Sequence, residues 1–424
     1  MTSTLLQTAG SLLPEETQEI PKPNDDEHRL RMSEPPIVKV LNCLHRSHPG
    51  GAHWRIILVS QRLEKYYGIE TMIAFPQDDC DLYSGHLEKI GFPYVRIRMQ
   101  VLRRKVSSLV RFFASFPRGV RAFSRVLEEQ SISIVTVNGI TNLQPVVSAL
   151  MSNRKVLWYF NDMATPKVFV TLVSPLFQHP NVQLAVATDA ISEHYGLRAR
   201  SPILYLPAPV PSPEGYDDEP VSREALGLPS DAVIVGFIGN LVPIKGVDDL
   251  IRAVIPIMRQ RADVHAVVVG PTVPTQSDYA RRLQAEVATT PFADRIHFVG
   301  FRRNIPSWQR LFDVFVLASH SDACPNVVLE AMQAGTPLVV TRVGDTPRMR
   351  GQLPFPMVEP GDIEGLCRGI EEMLGLSPGA RGELSQRLQR RVQALYSLEK
   401  VTDEHARIYR ELSSRRRRSF RRTV

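Results

Sequence analysis

A chain of 424 residues is too long for one ordinary domain, and its 43% hydrophobic and 22% charged residues are typical of globular proteins. The formal charge of +7 comes almost entirely from the last twelve residues, which hold six arginines and no acid, so we expect no specific nucleic-acid binding. No apolar run reaches the roughly 18–20 residues of a membrane span, and we expect no secretion signal.

The four cysteines lie far apart in the sequence and form no C-x-x-C pair: Cys43, Cys80, Cys324 and Cys367. This spacing predicts neither a zinc site nor a disulfide framework, and it fits a reducing cytoplasm. The sequence also offers no strong metal-binding cluster, so no metal or cofactor is expected.

The first half of the chain alternates between apolar strands and helices. Residues 1–34 are polar and are predicted to be disordered, and residues 37–44 form the first strand. Further strands are predicted at 70–75, 94–99, 133–137, 156–160 and 184–188. This alternation predicts a doubly wound parallel sheet with its ligand site at the carboxyl ends of the strands.

Two glycines follow the first strand. Gly50 and Gly51 would let the backbone approach a ligand closely and would leave the N–H groups of the next helix free for a phosphate. A plain tight turn explains the pair equally well.

A basic amphipathic helix is predicted within residues 89–127, which hold ten basic residues and no acid. Its apolar stripe recurs at i, i+3, i+4 and i+7: Val106, Leu109, Val110 and Phe113. Such a helix, over about 96–125, either lies on an anionic membrane surface or packs its stripe on the sheet with its arginines solvated.

Residues 208–231, rich in proline, glycine and acid, predict a linker between a domain at 35–207 and a second at 232–390. The second domain opens with a strand, Gly239, a short loop and Lys245-Gly246 before a helix, which predicts another phosphate-facing turn. Strands are then predicted at 265–270 and 296–300, helices at 362–376 and about 380–412 (with 391–412 as a separate C-terminal helix), and an arginine-rich tail at 413–424.

The most informative stretch, residues 313–344, predicts a strand, a polar loop, a helix and a second strand. The helix begins near Asn326 and stops at Gly335. Asp322 in the loop and Glu330 in the helix suit a ligand that carries both phosphate and hydroxyl groups, because the helix N–H groups would hold the phosphate. The alternative interpretation is that Asp322 and Glu330 are two solvated surface acids that bind no ligand.

This stretch resembles the donor-site motif of glycosyltransferase family 4, which is an acid, seven residues and then Glu-Ala-Met-Ala-x-Gly-x-Pro. Here Asp322 stands seven residues before Glu330, and Ala331-Met332-Gln333-Ala334-Gly335-Thr336-Pro337 follows. The resemblance extends over about residues 36–410 and is most specific between 232 and 345.

The resemblance implies a GT-B fold, with two Rossmann-like domains facing each other across a cleft. It further implies a retaining enzyme that moves a hexose-type sugar from a UDP-, GDP- or ADP-sugar to a saccharide or lipid-linked acceptor. Such enzymes serve cell-envelope or exopolysaccharide synthesis and usually need no metal. The basic helix and the tail at 415–422 would then place the protein peripherally on the inner face of the plasma membrane, although a solubilising tail is the alternative.

By the same resemblance, Lys245 and the helix N-termini near Gly51 and Asn326 would hold the diphosphate. Glu330 would hold the ribose, Asp322 the donor sugar, and Asn161 and Asp162 the acceptor or sugar. The implied donor-binding set is Gly50, Gly51, Asn240, Lys245, Phe301, Asp322, Asn326, Val327 and Glu330, and the implied catalytic set is Asp162, Asn161 and Lys245.

Three positions that usually carry chemistry in the family depart from its pattern. Asn161 stands where a histidine is common, Asn240 where an arginine binds phosphate, and Asp322 where glutamate is usual. The missing cation would come from another arginine: Arg46, Arg302 or Arg342. These departures leave open a non-catalytic GT-B protein that binds a nucleotide sugar or a partner enzyme, and Asn161-Asp162 could also simply cap a helix.

Overall fold

The computed structural model describes residues 38–44, 51–77, 81–99, 106–163, 165–210, 221–302 and 304–414. The predicted disordered N-terminus, Gly50 and the tail at 415–422 lie outside this part of the chain. The structure divides into two units, Met1–Ala208 with Leu398–Val424, and Pro209–Ser397.

The first unit is built on a sheet of seven parallel strands in the order β3-β2-β1-β4-β5-β6-β7. The strands are β1 Val38–Cys43, β2 Ile69–Pro76, β3 Tyr94–Ile97, β4 Ile134–Asn138, β5 Lys155–Phe160, β6 Val182–Val186 and β7 Leu204–Tyr205. Every residue of β4 and β6 is buried, which explains why these strands are continuous apolar runs rather than alternating ones.

The helices that connect these strands are α1 Gly51–Tyr67, α2 Asp81–Lys89, α3 Val106–Glu129, α4 Leu143–Met151, α5 Lys167–Val173 and α6 Asp189–Tyr195. The amphipathic pattern predicted α3, but its packed face is a different one. Phe112 and Phe123 are buried, whereas Val110 and Phe113 are 66% and 67% exposed. The interpretation that the predicted stripe packs on the sheet is therefore wrong for these two residues, and the buried side chains belong to another face of the helix.

The second unit is built on a sheet of six parallel strands in the order β10-β9-β8-β11-β12-β13. The strands are β8 Val233–Ile238, β9 Val264–Val269, β10 Ile296–Gly300, β11 Val314–Leu317, β12 Leu338–Thr341 and β13 Met357–Val358. In both sheets the strand order reverses once, between β1 and β4 and between β8 and β11. At such a switch point the loops after the two strands diverge and leave a crevice for a ligand.

The helices of the second unit are α7 Val247–Gln260, α8 Ser277–Ala288, α9 Ile305–Leu311, α10 Asn326–Ala334, α11 Thr346–Arg350, α12 Ile363–Leu374 and α13 Pro378–Leu395. The last helix, α14 Leu398–Ser414, belongs to the first unit. The separate C-terminal helix predicted at 391–412 is present, but it begins at Leu398. Tyr396 is buried at the break, and its carbonyl oxygen accepts a hydrogen bond from the N–H of Val210 at 2.8 Å instead of continuing a helix.

Candidate functional site

The β8–α7 turn lies directly against the end of β11 at the switch point of the second unit. It contains a 3-10 turn, Pro243–Lys245, followed by Gly246 at φ +65°. A Cβ atom at Gly246 would lie 2.0 Å from the carbonyl oxygen of Ala318. Only glycine fits this combination of left-handed backbone and close approach, so the sequence Lys-Gly fixes where Lys245 projects.

Lys245 and Asp322 form an ion pair across the switch point, between the turn after β8 and the loop after β11. Both side chains are only partly buried, so solvent or a ligand can reach them. The structure therefore brings together two of the predicted site residues that are far apart in the sequence. A phosphate that approached this point would compete with the Asp322 carboxylate for the lysine ammonium.

A second link between the same two loops was not predicted. The His320 N–H donates to the carbonyl oxygen of Ile244 at 2.8 Å, and its Nε2 lies 2.9 Å from Oδ2 of Asp249 in the first turn of α7. Burial raises the pKa of Asp249, with a further contribution from neighbouring Asp248, while His320 lowers it. The only sequence signal for this contact was that Asp249 closely follows the Lys-Gly turn. That position does not indicate that His320 is its partner.

The N-terminus of α10 points out of the loop that carries Asp322. Pro325 occupies its N-cap position and no side chain caps it, so its first N–H groups are available to an anion. Gln309, which is fully buried, donates from Nε2 to the carbonyl oxygen of Val327 at 3.1 Å and holds this first turn. Asn326 and Val327 thus stand where the sequence placed them, at the start of the helix.

Gly344 supports the same loop from the β12–α11 turn. Its φ is +48°, and a Cβ atom there would lie 2.1 Å from the carbonyl oxygen of Asp322. Asp345 donates its N–H to the carbonyl oxygen of Ala323 at 3.1 Å. The loop is therefore held by backbone contacts, which leaves the Asp322 carboxylate free to serve Lys245.

Glu330 lies in the second turn of α10, and burial raises the pKa of its carboxyl group to about 7. Within the described part of the chain, this carboxyl has no hydrogen-bond or ion-pair partner. Donors such as ribose hydroxyls would favour its ionised form, because a hydrogen bond to a carboxylate stabilises the charge. The group is thus suited to a ligand that supplies hydroxyl donors.

Phe301 is 43% exposed beyond the end of β10, immediately after Gly300 at φ +74°. An exposed aromatic ring of this kind offers a stacking surface to a nucleobase. Asn240 is exposed after β8 and brings no charge. The guanidinium of Arg302 lies 5.9 Å from the Trp308 ring centroid, and Arg342 Nε donates to Glu359 at 2.7 Å, so both candidate replacement cations have other partners.

In the first unit, Asn161 and Asp162 follow β5 and are half-buried. The helix after them begins at Lys167 with Pro166 at its N-cap, so the alternative that this pair caps a helix is wrong. Gly51 begins α1, while Arg46 falls, like Gly50, outside the described residues. The strands that precede these loops are close in the sheet, since β1, β4 and β5 are consecutive in the strand order.

Two asparagines at the switch point of the first unit were missed. Asn142 donates from Nδ2 to the carbonyl oxygen of Cys43 at 3.3 Å, and Asn138 accepts from Arg55 at 3.1 Å. Both asparagines are buried. Their signal in the sequence was a polar residue at the end of β4, Asn138, and a second asparagine in the loop that follows it.

In the described ranges, no group of three histidine, cysteine, aspartate or glutamate side chains comes together as metal ligands would. Within the same residues, no helix has both the length and the apolar character that crossing a membrane requires.

Known proteins match this arrangement at two levels, fold and domain. A glycosyltransferase from Rickettsia africae superposes with a TM-score of 0.76 at 16% sequence identity. The match covers 90% of this chain and the whole of the Rickettsia chain. Anabaena HepE, solved with UDP and glucose, has a TM-score of 0.71 at 16% identity over 88% of this chain and the whole of the other. The predicted fold class is confirmed: two parallel-sheet α/β domains of the GT-B type.

Residues 232–375, which lie in the second unit, match the family model described as Glycosyl transferases group 1. This segment contains the whole Lys245, Asp322 and Glu330 region. In Rhizobium meliloti (strain 1021), the lipopolysaccharide core biosynthesis mannosyltransferase LpsB is 35% identical over 127 residues, 30% of this chain and 36% of that protein. The D-inositol 3-phosphate glycosyltransferase of Geodermatophilus obscurus is 30% identical over 220 residues, 50% and 47% of the two chains. The chain thus spans about a third to a half of these curated relatives' length.

Proposed function

We propose that the protein is a retaining, metal-independent glycosyltransferase of family 4. It moves a hexose-type sugar from a UDP-, GDP- or ADP-sugar to a saccharide or lipid-linked acceptor in cell-envelope or exopolysaccharide synthesis. The observation that carries this proposal is the Lys245–Asp322 ion pair beside the uncapped N-terminus of α10. The names of the relatives support it, since LpsB acts in lipopolysaccharide core synthesis.

Donor binding begins at the switch point of the second unit. The diphosphate takes the Lys245 ammonium from Asp322 and accepts hydrogen bonds from the first N–H groups of α10. Asp322, released from the lysine, accepts hydrogen bonds from hydroxyls of the donor sugar. Glu330 accepts them from the ribose, and the base stacks on Phe301.

The transfer step needs stabilisation of the charge that develops on the leaving diphosphate. The bond between the anomeric carbon and the phosphate oxygen breaks, and its electron pair goes to the diphosphate, where Lys245 and the α10 dipole stabilise it. The acceptor oxygen bonds to the same face of the sugar, and its proton passes to the leaving phosphate. Asn161 does not titrate, so it and Asp162 orient the acceptor or the sugar.

Hydrolysis of the donor without an acceptor tests this proposal. The purified protein is incubated with a panel of UDP-, GDP- and ADP-sugars in EDTA, alongside Glu330→Ala and the exposed control Glu286→Ala. We expect slow release of one nucleotide by the wild type and the control, and none by Glu330→Ala. Calorimetric binding of a nucleotide sugar without turnover, even with membrane extract added, would instead favour a non-catalytic binding protein.

We also propose that α3 docks the first unit on an anionic membrane surface. Over residues 106–127 the helix has no acid, and its exposed Val110 and Phe113 are accompanied by exposed arginines, namely Arg111, Arg118, Arg121 and Arg125. Apolar side chains enter the interface while each basic residue near the surface contributes about 1 kcal/mol. The tail at 415–422 contributes six further arginines to the positive charge available for an anionic surface.

Vesicle cosedimentation tests this surface, with phosphatidylcholine vesicles that contain or lack phosphatidylglycerol. Phe113→Asp is expected to weaken binding to the anionic vesicles severalfold. Met151→Asp serves as the control, because Met151 is 75% exposed and lies on a different helix, α4. Equal binding by both variants would contradict the proposal for α3 and leave only the tail.

A further inference from the structure

A buried polar cluster in the first unit contains a cation without a countercharge. Arg55 on α1 is only 6% exposed. Side chains from β1, β4, β5 and α14 surround it. We define the Arg55 cluster as Arg55, Asn42, Thr136, Tyr159, His405 and Tyr409. None of these residues has a role in the donor binding or sugar transfer proposed above.

The guanidinium of Arg55 is only partly satisfied. Its Nη2 donates to Oδ1 of Asn138 at 3.1 Å, and its Cζ lies 3.9 Å above the centre of the Tyr159 ring. Nη1 is buried, and within the described part of the chain it has neither a hydrogen-bond acceptor nor a carboxylate partner. Arginine does not lose its proton in a protein, and an unpaired buried charge is costly, so a negative partner beside Nη1 would stabilise the folded cluster.

The rest of the cluster does not supply that charge. The His405 Nδ1 lies 2.7 Å from the carbonyl oxygen of Val401 and donates to it, and burial with nearby Arg55 lowers the His405 pKa to about 4. The hydroxyls of Thr136 and Tyr409 share a hydrogen bond of 3.0 Å, and burial raises the pKa of Tyr409. At neutral pH the cluster therefore carries one fixed positive charge.

A cavity of about 20 Å³ adjoins these groups and is lined by every member of the cluster. This is room for one occupant about the size of a water molecule. We propose that the cavity binds a single halide-sized inorganic anion against Nη1 of Arg55. The amide of Asn42 provides a neutral donor beside it, as does the one hydroxyl of the Thr136–Tyr409 pair whose proton is not used in their mutual hydrogen bond.

The anion would fasten α14 to the rest of the first unit. His405 and Tyr409 lie on α14, whereas Arg55 lies on α1, so neutralising the guanidinium stabilises the contact between the two helices. The hydrogen bond from Tyr67 on α1 to Asp403 on α14 lies in the same contact. Because only the folded cluster binds the anion, its concentration should affect how often α14 opens.

Anomalous scattering from bromide tests the site directly. Crystals of the full chain are grown in sodium bromide, and diffraction is recorded at the bromine absorption edge. The expected result is an anomalous peak in van der Waals contact with Nη1 of Arg55. A water molecule there, with no anomalous signal, overturns the proposal whatever the behaviour of any variant.

Hydrogen exchange gives the matching measurement in solution, in bromide and in gluconate at equal ionic strength. Bromide is expected to slow exchange in α14 of the wild type severalfold, and this effect should vanish in Arg55→Met. The control is Arg295→Met in the second unit, which removes an arginine held by the carbonyl oxygens of Met258, Arg261 and Ala262. An α14 that responds to bromide equally in all three proteins contradicts the proposal.

Discussion

The two switch points have the same strand order but opposite chemistry. In the second unit, Lys245 and Asp322 stay partly exposed and pair with each other, so a ligand can exchange for either partner. In the first unit, Asn138 and Asn142 are buried and their amides bind the backbone of β1 or Arg55. The comparison teaches that strand topology provides a crevice twice, while exposed and exchangeable charges decide which crevice holds an anionic ligand.

The largest expected effect comes from removing the charge at the second switch point. Lys245→Ala should lower kcat/KM for the nucleotide sugar by about 10²–10³-fold, because charge on the leaving diphosphate loses its nearest cation. Steady-state kinetics with the donor identified by hydrolysis measures the change. Lys89→Ala, an exposed lysine in the first unit, is the control and should be silent. Comparable activity of Lys245→Ala and wild type would refute the contrast between the switch points.

A smaller effect should follow from disturbing the turn that positions Lys245. Gly246→Ala places a Cβ atom against the Ala318 carbonyl oxygen in a left-handed backbone, and we expect a loss of about 2 kcal/mol in the free energy of unfolding. Gly227→Ala has a similar φ of +68° but no atom within 4 Å, so it isolates the conformational cost alone. Urea unfolding of the two variants should differ, and equal losses would remove the argument for close approach.

The smallest effect is a pH dependence of nucleotide affinity. Ribose hydroxyls that donate to Glu330 favour its ionised form, so binding should release a proton and tighten as pH rises through about 7. The expected gain between pH 6 and 8 is about tenfold, and Glu330→Gln should abolish it. Calorimetry in two buffers of different ionisation enthalpy measures the proton. Uptake of a proton, or none, would show that Glu330 does not meet donor hydroxyls.

Local patterns in the sequence predicted most of the fold. Apolar runs such as those of β8 and β11 predict buried parallel strands, and Gly335 marks the end of α10 where the structure has it, at φ +76°. The two-residue strands β7 and β13 were missed because two residues carry no periodicity. The break before the C-terminal helix was predicted near residue 391 and lies at Tyr396, because the residue that Tyr396 bonds to, Val210, is remote in the sequence.

The candidate site was predictable only as separate residues. Lys245 and Asp322 were each identified from their own turn or loop, but their ion pair depends on β8 and β11 being neighbours in the sheet. The His320–Asp249 contact has the same origin, and the acid that follows the Lys-Gly turn did not indicate its partner. On α3, periodicity found an apolar stripe at Val110 and Phe113 but could not tell a packed face from an exposed one, since the deciding packing comes from other elements.

A crystal structure with the nucleoside diphosphate of the preferred donor tests the central claim most directly. The account predicts a phosphate within hydrogen-bond distance of Lys245 Nζ and of the first N–H groups of α10, with the Lys245–Asp322 ion pair broken and Glu330 bonded to the ribose. A diphosphate bound elsewhere, with that ion pair intact, would contradict it.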